Sequence, residues 1–273
     1  MHMIYEMRYS YFGRSGWRSA ASTDKEKLFD EARLDTRHYF LEKIALRSLA
    51  DQTDPDFGLI VLSAEDLPDR HKSRLQQVCG DLLGDRAHVI FRAPDSAGTC
   101  FNRYRKEAFS SEPWTAQIVL DDDDAVSADF TARLRAEAQA AKQLRAPGED
   151  YCFLSHARGI SAVFRNGQVS LRHRINAATN LGLACVAPTA SRRQPFGIAH
   201  KKILERRPVR VIYSRAPAYI RAVHDTNDSR AQYSDDIVQA DEMPKMHAAF
   251  PLLQDLIAKW PLADDVTRVI KAA

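Results

Sequence analysis

Four consecutive aspartates follow directly on a short apolar run of this chain. We call them the Asp cluster: Asp121, Asp122, Asp123 and Asp124, after Ile118, Val119 and Leu120. The apolar run indicates a buried strand, so the strand must deliver the four carboxylates to one point on the surface. Two carboxylates about 6 Å apart repel each other by roughly 3 kcal/mol at an effective dielectric near 20, and a divalent cation would reverse the sign. The cluster predicts a cation-binding active site, and the alternative is an acidic turn that caps the next helix.

Apolar runs alternate with helical patterns through the first 125 residues. Strands are predicted at residues 4–12, 57–62, 88–91 and 118–120. Helices are predicted in the segment that ends at Gln52, where Thr23 and Glu26 have capping-box spacing, over residues 69–83 and after Gly98. This alternation predicts an α/β fold with a mainly parallel sheet in the N-terminal half and helices on both faces. Ligands of such sheets bind outside the carboxyl ends of the strands, where the Asp cluster lies.

The pattern changes after a predicted helix over residues 127–144. Asn166 and Gly167 separate two alternating runs, which is a strong signal for a hairpin. A strand is predicted at residues 209–213, and a helical tail begins near Pro244. Without a linker or an internal repeat, we expect one domain over residues 1–273, with halves at residues 1–125 and 126–273.

Composition limits the class of protein. A net charge of +3 does not suggest a nucleic-acid surface, although arginines recur in short clusters that could meet an anionic membrane surface. No apolar run is long enough to span a bilayer, and the polar N-terminus lacks the core of a signal peptide. The four cysteines form no CxxC pair, so we expect reduced thiols and a cytoplasmic location.

The order of several segments gives the chain a family resemblance. These segments are Arg8-Tyr9-Ser10-Tyr11, Leu28-Phe29 with Arg33-Leu34 and Arg37, Gln52-Thr53-Asp54 before Phe57, and Leu120 with the Asp cluster. In this order the chain resembles the GT-A class of glycosyltransferases and, more narrowly, the putative rhamnosyl transferase family. The resemblance implies a GT-A-like, Rossmann-type mixed sheet. It also implies a nucleotide-binding half at residues 1–125 and an acceptor-binding half at residues 126–273.

The resemblance also implies the chemistry. The enzyme would be a hexosyltransferase of polysaccharide biosynthesis that moves a sugar, rhamnose by the family name, from a nucleoside-diphosphate donor to a saccharide or another hydroxyl acceptor. Mn²⁺ or Mg²⁺ would stabilise the diphosphate leaving group, and hard cations prefer carboxylate oxygen. In a DxD motif, Asp121 would face the nucleotide and Asp123 would bind the metal. If the four residues continue the strand, Asp121 and Asp123 share one face, and a shift of one residue selects Asp122 and Asp124 instead.

Further site residues follow from the same resemblance. Candidates for nucleotide contact are Arg8 and Ser10 on the first strand, Asn102, Arg103 and Arg105 before the Asp strand, and Asp121 and Asp122. The candidate metal ligands are Asp121, Asp123, Asp124 and a late histidine, His224, which opens a polar loop with Asp225, Thr226 and Asn227. An inverting transferase needs a base for the acceptor hydroxyl, and His200, Glu205 and Asp225 are the candidates.

Two other readings of the chain remain open at this point. A nucleotidyltransferase on a similar sheet would normally carry a Gly-rich phosphate loop near the N-terminus, for which residues 13–16 are a poor substitute. A non-catalytic protein that binds sugar nucleotides or carbohydrate would be expected to have a decayed site, but the run of four aspartates is intact.

Overall fold

Two β-sheets organise the chain. The computed structural model describes residues 1–14, 20–143, 148–225, 227 and 233–263. The strands in this part are β1 (His2–Arg8), β2 (Gly58–Ala64), β3 (Ala87–Arg92), β4 (Trp114–Val119), β5 (Ala125–Val126), β6 (Cys152–His156), β7 (Arg158–Arg165), β8 (Gln168–Ile175), β9 (Ala184–Pro188), β10 (Val209–Ile212) and β11 (Tyr219–Val223). The α-helices are α1 (Lys25–Leu28), α2 (Glu31–Phe40), α3 (Arg47–Ala50), α4 (Asp69–Leu83), α5 (Ala97–Ala108), α6 (Phe130–Gln143), α7 (Ile203–Arg206), α8 (Met243–Ala249) and α9 (Leu253–Lys259).

The large sheet has seven strands in the order β10-β6-β9-β4-β1-β2-β3. Strands β3, β2, β1 and β4 are parallel neighbours, β9 is antiparallel to both β4 and β6, and β10 is parallel to β6. The predicted mixed sheet with a mainly parallel N-terminal half is confirmed. Three of its strands come from the second half of the chain, so both halves of the sequence build this sheet.

Helices cover both faces of the large sheet, and successive side chains of β1 are therefore buried on opposite faces. Met3, Tyr5 and Met7 pack in one core cluster, which also contains residues from α2, α4 and α6. Ile4 points to the other face, where it packs with Phe101 of α5. Alternation of this kind is what a central strand buried on both faces requires.

The small sheet has the order β5-β11-β7-β8. The predicted hairpin is confirmed: β7 and β8 pair antiparallel, and Asn166 and Gly167 form the turn with φ of 51° and 72°. Positive φ at both central residues is the geometry that favours Asn-Gly in two-residue turns. Strand β11 pairs with β7 and with β5, the short strand directly after the Asp cluster. The small sheet therefore brings the end of β11 close to the end of β4.

Some local predictions differ from the structure. The first strand ends at Arg8 rather than at residue 12, since Ser10 has a positive φ of 44° that no strand continues. The N-cap of α1 is Asp24, whose carboxylate accepts hydrogen bonds from the N–H groups of Glu26 and Lys27, so the predicted Thr23 cap is wrong. The helical segment before Gln52 contains a π-helical stretch at Leu41–Leu46 between α2 and α3. Residue 144, the predicted end of the following helix, lies outside the described residues, as do residues 15 and 16 of the N-terminal turn.

Two further observations concern membrane-spanning helices and the cysteine residues. Within the described residues, no helix is both long enough and apolar enough to cross a bilayer. Cys79, Cys100, Cys152 and Cys185 are all free thiols.

Candidate active site

The Asp cluster forms a turn at the carboxyl end of β4. The strand ends at Val119, and the N–H of Asp124 donates a hydrogen bond to the carbonyl oxygen of Asp121, at 3.2 Å. The expectation that alternate aspartates share a strand face is therefore wrong, because the residues of a turn do not follow the two-residue period. Each carboxylate instead has its own environment.

Asp121 is the most exposed of the four, with 33% of its side chain accessible. Its Oδ1 accepts a hydrogen bond from Nη2 of Arg8, at 2.7 Å. Arg8 is the last residue of β1, the neighbour of β4 in the sheet, and its guanidinium lies 5.1 Å above the ring of Phe196. The pair thus joins the ends of two parallel strands at the edge where ligands of this fold bind.

Arg37 of α2 holds the middle of the cluster. Its Nε and Nη2 both donate to the carboxylate of Asp122, and its Nη1 donates to Oδ2 of Asp123 at 2.9 Å. All three side chains are buried. A two-pronged contact of this kind suits the planar guanidinium and fixes the turn against the helix. Asp122 is fully buried in this contact, so the structure corrects the expectation that its carboxylate is presented to a nucleotide.

His224 reaches the cluster from the end of β11. Its Nε2 lies 3.1 Å from Oδ2 of Asp123, and its ring stacks on Phe40 with the centroids 3.9 Å apart. The amide of Asn227 donates to the same oxygen of Asp123 at 2.8 Å. Thr226, which belongs to the predicted polar loop, lies outside the described residues. The structure therefore brings together Asp123 and His224, two of the predicted metal ligands.

The two last aspartates differ in their tendency to ionise. Burial raises the pKa of a carboxyl group, but at Asp123 the charge of Arg37 and the contact with His224 outweigh it, so the pKa of Asp123 lies below its ordinary value. Burial and the neighbouring charge of Asp123 raise the pKa of Asp124 well above its ordinary value. Oδ1 of Asp124 accepts a hydrogen bond from the N–H of Ala222 at 2.9 Å. Asp123 therefore carries the negative charge of this pair, while Asp124 ties the turn to β11.

Ser10 lies just beyond the end of β1, in the left-handed conformation noted above. Its hydroxyl accepts a hydrogen bond from Nη1 of Arg33 at 3.2 Å, and Arg33 also donates to the carbonyl oxygen of Leu28. A strained non-glycine residue at a strand end is a common feature of functional sites. Because β1 ends at Arg8, both Arg8 and Ser10 lie at the carboxyl ends of the strands, where ligands of such sheets bind.

The three predicted nucleotide contacts on α5, Asn102, Arg103 and Arg105, lie away from the Asp cluster. Arg105 is fully buried, and its Nη1 donates to the carbonyl oxygen of Thr189 at 2.8 Å and contacts Thr115 near the start of β4. Asn102 accepts a hydrogen bond from the same guanidinium at 2.6 Å. Since the start of β4 is at the opposite end from the Asp cluster, the structure corrects the expectation that Asn102 and Arg105 contact the nucleotide. Arg103 is exposed on α5, with no described contact to the cluster.

The three candidate bases differ in position. Asp225 is exposed and lines an open cleft of about 520 Å³ together with Asn227 and Arg33. Asn227 contacts Asp123, and Arg33 contacts Ser10. His200 is half-buried, and burial, followed by the charges of Lys201 and Arg221, lowers its pKa, whereas the charge of Asp121 opposes this shift. Glu205 is exposed on α7, and no described contact joins it to the Asp cluster. Asp225 is thus the candidate with the clearest connection to the site.

The residues present would suit a cation that is shared with a substrate. Among the described residues, no group of three or more His, Cys, Asp and Glu side chains is arranged to hold a metal alone. Asp123 and His224 nevertheless offer an oxygen and a nitrogen 3.1 Å apart, close enough for both to bind one ion. Mg²⁺ sites in enzymes commonly use one or two protein ligands, with substrate phosphates and water completing the shell. A diphosphate would supply the missing ligands.

Three residues of this site were not assigned a role from the sequence: Arg33, Arg37 and Asn227. Arg33 and Arg37 belong to the segments that carry the family resemblance, and Asn227 belongs to the polar loop after His224. Composition gives no further signal, because arginine is common in this chain. The helical spacing of four residues between Arg33 and Arg37 places both on one side of α2, and this spacing is the sequence signal that links the two residues.

A comparison with sequence models of protein families confirms the family resemblance. The sequence model of the family described as "Putative rhamnosyl transferase" matches residues 2–236. No curated protein shows significant similarity to the chain. The chain is similar in structure to residues 1–349 of S. aureus TarS in complex with UDP, with 14% identity and a TM-score of 0.42 over 82% of this chain and 61% of that one. The chain thus spans about three fifths of the length of that TarS structure.

Two other solved structures are also similar. One is LgtC, a galactosyltransferase in complex with donor and acceptor sugar analogs, with 12% identity and a TM-score of 0.31 over 75% of this chain and 64% of that one. The other is mouse xyloside xylosyltransferase 1, with 15% identity and a TM-score of 0.32 over 75% of this chain and 71% of that one.

Proposed function

The chain belongs to the putative rhamnosyl transferase family, and from this premise we propose that it is a glycosyltransferase that transfers a sugar from a nucleoside-diphosphate donor with the help of a divalent cation. The family name suggests rhamnose as the donor sugar. The acceptor would be the hydroxyl group of a saccharide or of another molecule.

One observation carries this proposal. At the carboxyl end of β4, the carboxylates of Asp121 and Asp123 meet Arg8 of β1, Arg37 of α2 and His224 from the end of β11. These side chains come from segments far apart in sequence and converge at the edge where open α/β sheets bind their ligands. An acidic turn that only capped a helix would not require a histidine and an amide on the same carboxylate oxygen.

The metal site would be formed by Asp123 and His224. When bound there, Mn²⁺ or Mg²⁺ would neutralise the charge that develops on the diphosphate as the bond to the sugar breaks. Arg37 would keep its bonds to the buried carboxylate of Asp122 and hold the turn in place. Asp124 would support the site through its hydrogen bond to Ala222, rather than as a ligand.

The nucleotide would lie at the end of β1. Asp121, a third of whose side chain is exposed, would accept hydrogen bonds from the ribose or the sugar. Arg8 and Arg33 place two guanidinium groups on the same edge, and guanidinium groups are well suited to contact phosphate oxygens. Ser10, held by Arg33, would shape the backbone against which the nucleotide packs.

The acceptor would enter through the cleft lined by Asp225 and Asn227. In an inverting transfer, the acceptor oxygen forms a bond to the anomeric carbon while the bond from that carbon to the diphosphate oxygen breaks. The proton of the acceptor hydroxyl passes to a base, and we assign this role to Asp225, with His200 as the second candidate. The diphosphate leaves with the electron pair of the broken bond.

Product analysis tests this proposal. The protein is incubated with UDP-, dTDP- and GDP-sugars, including the rhamnose donors, with a panel of saccharide acceptors and with Mn²⁺ or EDTA. We expect release of the nucleoside diphosphate from one donor in the presence of Mn²⁺, and faster release when the matching acceptor is present. Asp123→Asn should abolish this release, while Asp129→Asn, which changes an exposed aspartate at the start of α6, should not.

Other products would contradict the proposal in recognisable ways. A nucleotidyltransferase would form or consume a nucleoside triphosphate or pyrophosphate, and would not release a nucleoside diphosphate. A non-catalytic binding protein would bind a sugar nucleotide tightly and release no product with any acceptor.

A further inference from the structure

One segment of the chain combines basic charge with exposed apolar side chains. Among the described residues, three large hydrophobic side chains are exposed: Ile175, Leu204 and Tyr213. Two of them lie within residues 192–215, a segment with eight Lys and Arg residues and a single acidic one, Glu205. The net charge of the whole chain is only +3, so the remaining residues are acidic on balance. The positive charge is therefore concentrated on this segment, which we call the basic edge.

Helix α7 shows how this segment is presented. Ile203 is fully buried and packs in a core cluster with Phe153 and Leu183. Its neighbours on α7 and in the preceding turn are exposed: Lys201, Lys202, Leu204, Glu205 and Arg206. Because the buried Ile203 fixes the helix against the core, a leucine flanked by basic side chains is held at the surface.

The other two exposed hydrophobic residues, Tyr213 and Ile175, lie at the ends of two different strands, β10 and β8. Strand β10 is the edge strand of the large sheet, and Tyr213 directly follows it. The N–H of Ala157 donates to the carbonyl oxygen of Ile212 at 2.9 Å, and the carbonyl oxygen of Ala157 accepts from the N–H of Asn176 at 2.8 Å. Tyr213 and Ile175 are the chain neighbours of these two partners. Both residues therefore adjoin backbone positions that hydrogen-bond to Ala157, one at the end of the large sheet and one at the end of the hairpin.

From these observations we propose that the basic edge is a docking surface for an anionic lipid membrane. Lys and Arg near a membrane surface are attracted to anionic headgroups, and exposed Leu and aromatic side chains enter the boundary between headgroups and acyl chains. A soluble polyanion would need the charges but not the exposed Leu204 and Tyr213. The acidic remainder of the chain would face away from the membrane, so the charge distribution also fixes the orientation of the bound protein.

Docking in this orientation would bring the site close to the membrane. Phe196 belongs to the same segment, and its ring lies 5.1 Å from the guanidinium of Arg8, which donates a hydrogen bond to Asp121. An acceptor held at the membrane surface would then meet the open side of the Asp cluster. The proposal about docking does not depend on sugar transfer, since membrane binding is measured without a donor.

Vesicle binding tests the proposal with the full chain. The protein is mixed with vesicles of phosphatidylcholine alone, or of phosphatidylcholine with phosphatidylglycerol, and its partition coefficient is measured by co-sedimentation at several salt concentrations. We expect binding only to the vesicles that contain phosphatidylglycerol, and weaker binding at high salt. No binding to the anionic vesicles would overturn the proposal.

Matched variants separate the contribution of the basic charges to vesicle binding from that of the exposed apolar side chains. Lys202→Gln with Arg206→Gln removes two exposed charges, one turn apart, on either side of Leu204, and we expect the partition coefficient to fall about 25-fold, at about fivefold for each charge. The control, Lys43→Gln with Arg47→Gln, removes two exposed charges with the same spacing from another surface and should leave binding unchanged.

The variant Leu204→Ser with Tyr213→Ser keeps every charge. It should weaken vesicle binding, and it should leave binding to heparin, a soluble polyanion, unchanged. Equal loss in the control double variant would mean that binding responds only to net charge, and no loss in the apolar variant would mean that no side chain enters the membrane. Either result would overturn the proposal.

Discussion

Nε2 of His224 lies 3.1 Å from Oδ2 of Asp123, although 101 residues separate them in the sequence. The contact depends on the small sheet, because β11 pairs with both β5 and β7 and so ends beside the turn that follows β4. Stacking on Phe40 fixes the plane of the imidazole ring. The second half of the chain thus completes a site that the first half begins.

If His224 binds the metal, removing its side chain should weaken metal-dependent binding of the nucleotide. We expect His224→Ala to lower the affinity for the nucleoside diphosphate in Mn²⁺ by about tenfold or more, which is about 1.4 kcal/mol, and to leave the affinity in EDTA unchanged. Calorimetric titration measures both values. His2→Ala, at the opposite end of the sheet, is the control, and an unchanged gain from Mn²⁺ in His224→Ala would contradict the metal role.

Arg37 should be important for stability, because it compensates two buried carboxylates. We expect Arg37→Gln to reduce the free energy of unfolding by about 3 to 5 kcal/mol, the usual cost when one partner of a buried ion pair is removed. The double variant with Asp122→Asn should recover part of this loss, because it removes one of the uncompensated charges. Urea denaturation provides the measurement.

The exposed pair of Arg74 and Asp35, 2.6 Å apart, is the matched control. Arg74→Gln should change the free energy of unfolding by less than about 1 kcal/mol, since exposed ion pairs contribute little. Equal losses in Arg37→Gln and Arg74→Gln would show that burial of the Arg37 contacts does not matter.

Glu6 should make stability depend on pH. It is buried in the middle of β1, and burial raises its pKa from 4.5 to about 8, with an opposing effect from Arg105. The folded state holds the proton of Glu6 more tightly than the unfolded state does. The resulting contribution to the free energy of unfolding is complete below pH 4.5 and is lost as the pH rises to about 8.

Glu6→Gln keeps the shape of the side chain but cannot ionise. The difference in the free energy of unfolding between this variant and the wild type should move in favour of the variant with rising pH, by up to about 1.4 kcal/mol per unit. Urea denaturation at pH 5 and pH 8 gives the difference directly, and because other titrating groups are common to both proteins, their effects cancel. A difference that is the same at both pH values would mean that Glu6 is ionised in the folded protein.

The sequence predicts the elements of this fold better than it predicts the site. Residues 69–83 form α4 as predicted, and the Asn-Gly hairpin forms as predicted, because a periodic apolar pattern and a turn signal are local properties. The sequence predicts the end of β1 too late, because aromatic residues continue past Arg8 while the backbone already turns at Ser10. Local composition does not reveal such a turn.

The geometry of the site depends on contacts between distant residues. Position after a strand placed the Asp cluster correctly at the sheet edge, but assuming that the strand continued gave the wrong alternation of its side chains. The family resemblance predicts Asn102 and Arg105 near the nucleotide, whereas the Arg105 side chain extends to the start of β4. The contact of Arg37 with Asp122 spans 85 residues, and no local pattern predicts which buried charge a helix supplies.

Calorimetric titration of UDP, dTDP and GDP, with Mn²⁺ and with EDTA, tests the central claim most directly. For the wild type we expect one of the three nucleotides to bind at least about tenfold more tightly in Mn²⁺, because the cation joins Asp123 to the diphosphate. Asp123→Asn should lose this gain, and Asp129→Asn should keep it. Equal affinity in Mn²⁺ and EDTA for all three nucleotides would contradict a metal-bridged donor at the Asp cluster.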